Sequence, residues 1–178
     1  PETIHDFYGF PEALYRMNYA APGAPDLARR VVQLLEAAGL DPAAVPDRGL
    51  DHGAWVPLML MYPAADIPVT QLSVQTALGP AHHWRLGEVL RSLRDEGMLI
   101  IASGSVTHNL REVGRHEYAA PPPNWVSTFN DWLAAVVEGG RTADLLDYRR
   151  IAPHAVRNHP TEEHLLPLFA AMGAATPG

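Results

Sequence analysis

Leu99-Ile100-Ile101-Ala102-Ser103-Gly104-Ser105-Val106-Thr107-His108-Asn109-Leu110 is the stretch on which the reading of the fold turns. It opens in a short apolar run, Met98 to Ala102, of the kind a strand buried on both faces presents. The run breaks into Ser103, Gly104 and Ser105, small residues that let the backbone turn sharply. His108 and Asn109 follow at once. A strand running into a small-residue loop with a His and an Asn is the layout of an α/β active site, because open parallel sheets collect ligands beyond the carboxyl ends of their strands. The competing reading is a surface loop whose histidine is incidental.

The surrounding composition narrows the choice. A chain of 178 residues with 47% hydrophobic content is sized for one domain with a real core. A formal charge of −7 without a basic cluster argues against nucleic acid and anionic membranes as partners. No apolar run approaches the roughly 18 residues of a membrane span. The first residues, broken by His5, Asp6 and Gly9, lack the pattern of a signal peptide, so a cytoplasmic location is expected. There is no cysteine, and nine histidines is a high count. Any transition-metal site must therefore be built from imidazole and carboxylate.

Working outward, Pro1 to Pro25 is dense in aromatics, Pro and Gly and reads as a long ordered loop with one helical turn near Glu12 to Met17. Such loops line pockets for planar ligands or simply pack on the body. Asp26 to Ala38 is an amphipathic helix with Leu27, Val31, Leu34 and Leu35 on one face and Gly39 as its stop. Val56 to Tyr62 reads as a short buried helix started by Pro57. Ile67 to Val74 is a second strand, with Pro68 near its start. Helices follow over Ala81 to Arg94, Trp125 to Glu138, Ala143 to Tyr148 and Thr161 to about Met172. Alternating strands and helices predict an α/β fold, a mostly parallel or mixed sheet flanked by helices. Two strands against five helices, the short Val56 to Tyr62 helix aside, is few for such a sheet.

Several histidines stand where chemistry is expected. With Thr161 as N-cap, His164 falls at the third helical residue, inside the positive end of the helix dipole, which favours the neutral ring that a metal ligand or acceptor needs. Glu162 and Glu163 stand beside it, and one of them could be a ligand or an outer partner. The bland alternative makes both acids ordinary first-turn residues and His164 a packing residue. His52 lies in Asp51-His52-Gly53, where Gly53 admits close approach of a ligand. Asp51 could orient the ring, although adjacent side chains often point apart. His5, with Asp6 amid aromatics, is ambiguous. His83 is read as buried and His82 as solvent-facing; His116 and His154 are read as loop residues and His159 as structural or exposed. Phosphate-loop, dinucleotide, nucleophile-elbow and His-Glu-x-x-His patterns are absent.

Six blocks then match a known family in order: Pro1-Glu2-Thr3-Ile4-His5-Asp6-Phe7-Tyr8-Gly9-Phe10-Pro11, Tyr19-Ala20-Ala21-Pro22-Gly23, Gly49-Leu50-Asp51-His52-Gly53-Ala54-Trp55, Ile67-Pro68-Val69-Thr70-Gln71-Leu72-Ser73, Ser103-Gly104-Ser105-Val106-Thr107-His108-Asn109-Leu110, and His159-Pro160-Thr161-Glu162-Glu163-His164-Leu165-Leu166-Pro167-Leu168. Together they resemble the DOPA 4,5-extradiol dioxygenase branch of the class III, LigB-type ring-cleaving dioxygenases. The resemblance implies a LigB-like single domain over 1–178, corresponding to the C-terminal portion of the family fold. It also implies a mononuclear non-haem metal, Fe(II) or Zn(II), and cleavage of a catechol, DOPA-like substrate with O2. By the same resemblance His164 and His108 are metal-site residues and His108 is also the acid/base residue. His52 is a catalytic residue on the substrate side, and His5 and Asn109 are substrate-binding. Family members also have an N-terminal segment bearing His-Gly-Ser-Pro and Ser-Ala-His-Trp type motifs, whose histidines are metal ligands. Neither motif is present here. Three expectations stay open: a fragment, a second chain or homo-oligomer supplying the missing part, or loss of the metal site. The last would suit a non-catalytic binding or adaptor protein on the same fold. A zinc hydrolase has no distinct residue in its favour.

Overall fold

A computed structural model describes residues 1–115, 117 and 119–175, which gather into two compact units, Pro1–Ser73 and Val74–Gly178. His116, expected in a loop, lies outside the described residues.

The first unit is mostly loop, with three helices: α1 (Glu12–Tyr15), α2 (Pro25–Ala37) and α3 (His52–Met61). Two isolated parallel bridges, Thr3 with Leu50 and Gly23 with Val69, tie its loops together. Gly49 is required at the first of these, since a Cβ there would lie 2.3 Å from the carbonyl oxygen of Glu2. Tyr19, Ala21, Leu50, Trp55 and Leu58 form the core. Its two polar edges are satisfied, Trp55 Nε1 donating to the Ile4 carbonyl at 2.9 Å and Tyr19 Oη to that of Tyr62 at 2.9 Å. The helix expected from Val56 begins earlier, at His52. Asp51 caps it, its side chain accepting from the Ala54 N–H at 3.3 Å, and Pro57 lies inside it. The carbonyl that Pro57 leaves without a donor is that of Gly53.

In the second unit, α4 (Gly79–Leu90) runs into a 3₁₀ turn, Arg91–Arg94. After a long connection come α5 (Asn124–Glu138), α6 (Thr142–Leu146), α7 (Tyr148–Ile151), α8 (Ala155–Asn158) and α9 (Leu166–Ala174). The core is built from Phe129, Leu133 and Val136 of α5 with Leu145, Tyr148, Leu165, Leu166 and Phe169. Helices α4 and α9 touch backbone to backbone. A Cβ at Gly87 would come 2.0 Å from the Ala170 carbonyl oxygen, and one at Gly173 would come 2.1 Å from that of Trp84. Arg91 and Arg94 donate to the carbonyls of Gly173 and Ala174, satisfying the C-terminal end of α9.

Two expectations fail here. The α/β fold with a mostly parallel or mixed sheet is not what the chain adopts: among the described residues there is no sheet, only the two bridges. Met98 to Ala102 forms no regular secondary structure, and Leu99 and Ile101 are 66% and 41% exposed. Ile67 to Val74 contributes a single bridging residue, Val69. Apolar runs with strand propensity become strands only where another strand takes up their N–H and C=O groups.

The last helix begins at Leu166, not after Thr161. A helix starting there would bury Pro167 beyond its first turn, removing a hydrogen bond and clashing with the preceding turn at a cost of about 3 kcal/mol. Starting at Leu166, it holds Pro167 in the first turn, where no N–H is needed. His164 therefore precedes the helix and is not its third residue, so the dipole argument for its neutrality does not apply. No helix among the described residues is long and apolar enough to cross a membrane.

Candidate functional site

The loop after the apolar run is pinned residue by residue to the segment from Arg157 to His164. Ser105 N–H donates to the His164 carbonyl at 2.8 Å, and His108 N–H to that of Asn158 at 3.0 Å. Thr107 Oγ1 donates to Asn158 Oδ1 at 2.7 Å, His159 Nε2 to the Val106 carbonyl at 2.7 Å, and Asn109 Nδ2 to that of Arg157 at 2.6 Å. Gly104 permits this approach: a Cβ there would sit 2.2 Å from the His164 carbonyl oxygen.

The zipper stacks His108 on His164, ring centroids 3.4 Å apart and planes 13° from parallel. Glu163 Oε1 lies 3.0 Å from His164 Nδ1 and 4.0 Å from His108 Nδ1. It also accepts from Thr161 Oγ1 at 2.8 Å. Partial burial pushes the Glu163 carboxyl upward, but hydrogen bonds from its own backbone, Thr161 and His164 outweigh this and hold it below its ordinary value. Of the two acids, Glu163 faces the histidine pair and Glu162 is turned away. Its Oε1 accepts from buried Tyr148 Oη at 2.8 Å, and its Oε2 lies 4.0 Å from Arg149 Nε.

His108, Glu163 and His164 each offer a ligand atom, all within 4.8 Å of one another. Ligands about 2.0–2.2 Å from one ion sit roughly 3–3.5 Å apart, so a modest side-chain rotation would close the set. Two imidazoles and a carboxylate are the donor types that suit Fe(II) and Zn(II). The residues fit a metal.

Two buried residues stand behind this cluster, and one of them, Asn158, escaped the sequence reading. Asn158 is fully buried, donating to the carbonyls of Trp125 and His154 while accepting from Thr107. Nothing in its local pattern marks it. His159, read as structural or exposed, is structural: it is fully buried, 5.7 Å from the Phe129 ring. Burial lowers its pKa, and the nearby His108 and His164 push the same way against the Val106 bond. His83 is also a core residue, accepting from Gln75 N–H and bonded through Nδ1 to the Gly79 carbonyl. His154 precedes α8 with a left-handed φ of 57°.

The first unit holds the other named histidines. His52 opens α3 and lies half-exposed, with Asp6 Oδ1 2.7 Å from its Nδ1. The expected orienter, Asp51, is engaged elsewhere, with Ala54, Gln71 and Arg48. His5 is bonded through Nε2 to the Met17 carbonyl at 3.0 Å, its ring within about 6 Å of Phe7, Tyr15 and Trp55.

A family model described as the catalytic LigB subunit of aromatic ring-opening dioxygenase matches residues 1–177. The chain is 48% identical over 175 residues to a 4,5-DOPA dioxygenase extradiol of Beta vulgaris, with 98% of the chain and 65% of that protein covered. It is 44% identical over 182 residues to a protein of the same description from Escherichia coli (strain K12), covering 98% of the chain and 64% of the relative. A crystal structure titled as uncharacterized protein JW3007 from Escherichia coli K12 superposes with a TM-score of 0.73 at 41% identity, over 90% of this chain and 66% of that one. The chain thus spans slightly less than two thirds of the length of these curated relatives.

Proposed function

The chain belongs to the LigB family of aromatic ring-opening dioxygenases, and from that membership we propose that it serves extradiol cleavage of a catechol, DOPA-like substrate by O2. In that reaction the ring carbon–carbon bond beside the diol breaks, and both oxygen atoms enter the product. A single non-haem Fe(II) or Zn(II), held by His164, Glu163 and His108, would supply a site where catechol and O2 meet. The supporting observation is the convergence of these three donors from two motifs more than fifty residues apart in sequence.

The protein's own groups would handle protons. An imidazole ring carries both a proton-accepting and a proton-donating nitrogen, so His108 can take a proton from a catechol hydroxyl and return it later. That role and direct metal ligation compete for the same ring, and the pinned loop presents the ring for either. His52 is assigned a hydrogen bond to a substrate oxygen, with His5 and Asn109 as further substrate contacts. Asn109 reaches this role only if its Nδ2 leaves the Arg157 carbonyl. The adaptor alternative is not favoured by relatives whose descriptions name dioxygenases.

The test is anaerobic reconstitution of the purified chain with Fe(II), followed by oxygen uptake on adding DOPA. Uptake is expected, and His108→Ala abolishes it while leaving catechol binding largely intact. Absence of uptake in a metal-loaded protein, or full activity in the variant, rejects the proposal.

A further inference from the structure

His52 and Asp6 form a contact that the proposed reaction does not yet use. Asp6 Oδ1 lies 2.7 Å from His52 Nδ1 and accepts the His52 backbone N–H at 3.1 Å. The two residues are 46 positions apart, so this pairing is a product of folding and not of local sequence. We propose that Asp6 is the positioning residue of His52, holding the ring as its Nδ1–H tautomer so that Nε2 is the atom presented to a substrate hydroxyl. The identity of that substrate rests on the function proposed above; the tautomer assignment does not.

Three observations converge on this role. First, a backbone N–H can only donate, so Oδ1 is an acceptor at this site. A carboxylate accepting from both groups requires the proton on Nδ1. Burial pushes the Asp6 carboxyl upward, but the His52 bonds prevail and keep it below its ordinary value, which supports an ionised acceptor. Second, the ring is held in orientation. Phe7 meets it edge-on, centroids 5.8 Å apart and planes at 90°, while the backbone bond ties Asp6 to the first residue of α3, whose N–H has no partner within the helix. Third, the acid adjacent to His52 in sequence is engaged elsewhere. Asp51 caps α3 with Oδ1 and gives Oδ2 to Gln71 and Arg48. Both side chains of the pair are about 40% exposed.

A carboxylate that fixes an imidazole tautomer matters because the opposite tautomer places a proton where a lone pair is needed. In the serine-protease triad, exchanging such a carboxylate for an amide leaves the geometry intact but lowers turnover by about ten-thousandfold. Here the pair is partly solvated, and a smaller effect is expected.

The experiment uses the full chain, first without metal or substrate. Nitrogen-15 spectra of its histidine side chains above neutral pH, assigned with His52→Gln, should show His52 protonated on Nδ1 and bare on Nε2. Asp6→Asn should shift His52 towards Nε2–H, and Asp6→Glu should restore the original form. In the Fe(II)-loaded protein, Asp6→Asn should lower kcat for catechol cleavage by about 10²- to 10³-fold with KM changed less than about threefold. Asp6→Glu should recover at least about tenfold of that loss. Native His52 protonated on Nε2, or an unchanged tautomer in Asp6→Asn, overturns the proposal. A native protein with the stated tautomer but no oxygen uptake overturns the functional reading and leaves the positioning role standing.

Discussion

Replacing Gly104 with alanine should separate the two imidazoles of the candidate centre without touching either of them. The added methyl carbon would stand 2.2 Å from the His164 carbonyl oxygen and 3.2 Å from its carbon. An ordinary carbon–oxygen contact is about 3.3 Å, so the two strands of backbone must part by roughly 1 Å. The opposing atoms are backbone and cannot rotate away. The bond from Ser105 N–H to the same carbonyl, 2.8 Å long, would be lost at about 1 kcal/mol. Local overpacking adds about 1–3 kcal/mol. The sum, about 2–4 kcal/mol, lowers Tm by roughly 5–15 °C for a chain of this size. The same displacement moves His108 off the His164 ring, and a misplacement of about 1 Å typically costs about a hundredfold in rate. Thermal unfolding followed by circular dichroism, together with a Zn(II) titration by calorimetry, measures both effects. Zn(II) affinity should fall along with Tm. A variant with Tm within a degree of the parent and undiminished affinity refutes the close-approach argument.

Glu163→Gln should weaken Zn(II) binding at least about tenfold, whereas Glu162→Gln, whose carboxylate is bound to Tyr148, should leave it nearly unchanged; equal losses in calorimetry would contradict the assignment. Asn158→Ala strands the Thr107 hydroxyl without its acceptor and removes two buried donors, so urea unfolding should show a loss of about 2–5 kcal/mol; a loss under about 0.5 kcal/mol would show that Asn158 is no strap. Stability should also decline on acidification before any carboxylate titrates. His159 has a folded pKa below its ordinary 6.5, so the unfolded chain binds the proton first. Its contribution is complete above about pH 6.5 and is lost as pH falls through the lower folded value. Glu163 and Asp6, both depressed, add a second decline beginning near their ordinary carboxylate range. His82, also lowered by burial, contributes in the same window, so urea midpoints measured against pH should show a smaller first decline in His159→Phe than in the parent.

Much of the candidate site was legible because it lies in short, chemically distinctive blocks. Thr107-His108-Asn109 and Glu162-Glu163-His164 were identifiable as residues, and the structure brings His108 and His164 into contact. The choice of Glu163 over Glu162 was not legible. Neighbouring side chains diverge, and Tyr148, which engages Glu162, comes from another helix. Asp51 beside His52 invited a pairing that Asp6 makes instead. The small residues at 103–105 were noticed for the right place but the wrong reason. Gly104 serves close backbone approach and has no left-handed φ to accommodate.

What the sequence by itself determined were features with local causes. Helices α2, α4 and α5 follow from apolar periodicity and their stop signals, because each helix satisfies its own backbone within four residues. Order and spacing of motifs likewise identified the family. Tertiary structure alone decided everything that needs a distant partner. Met98 to Ala102 reads as a strand yet has no ladder, since a strand's hydrogen bonds must come from another segment. Glu162 is engaged by Tyr148 and His52 by Asp6, partners 14 and 46 positions away in sequence. Such contacts are fixed only once chain segments far apart in sequence have met.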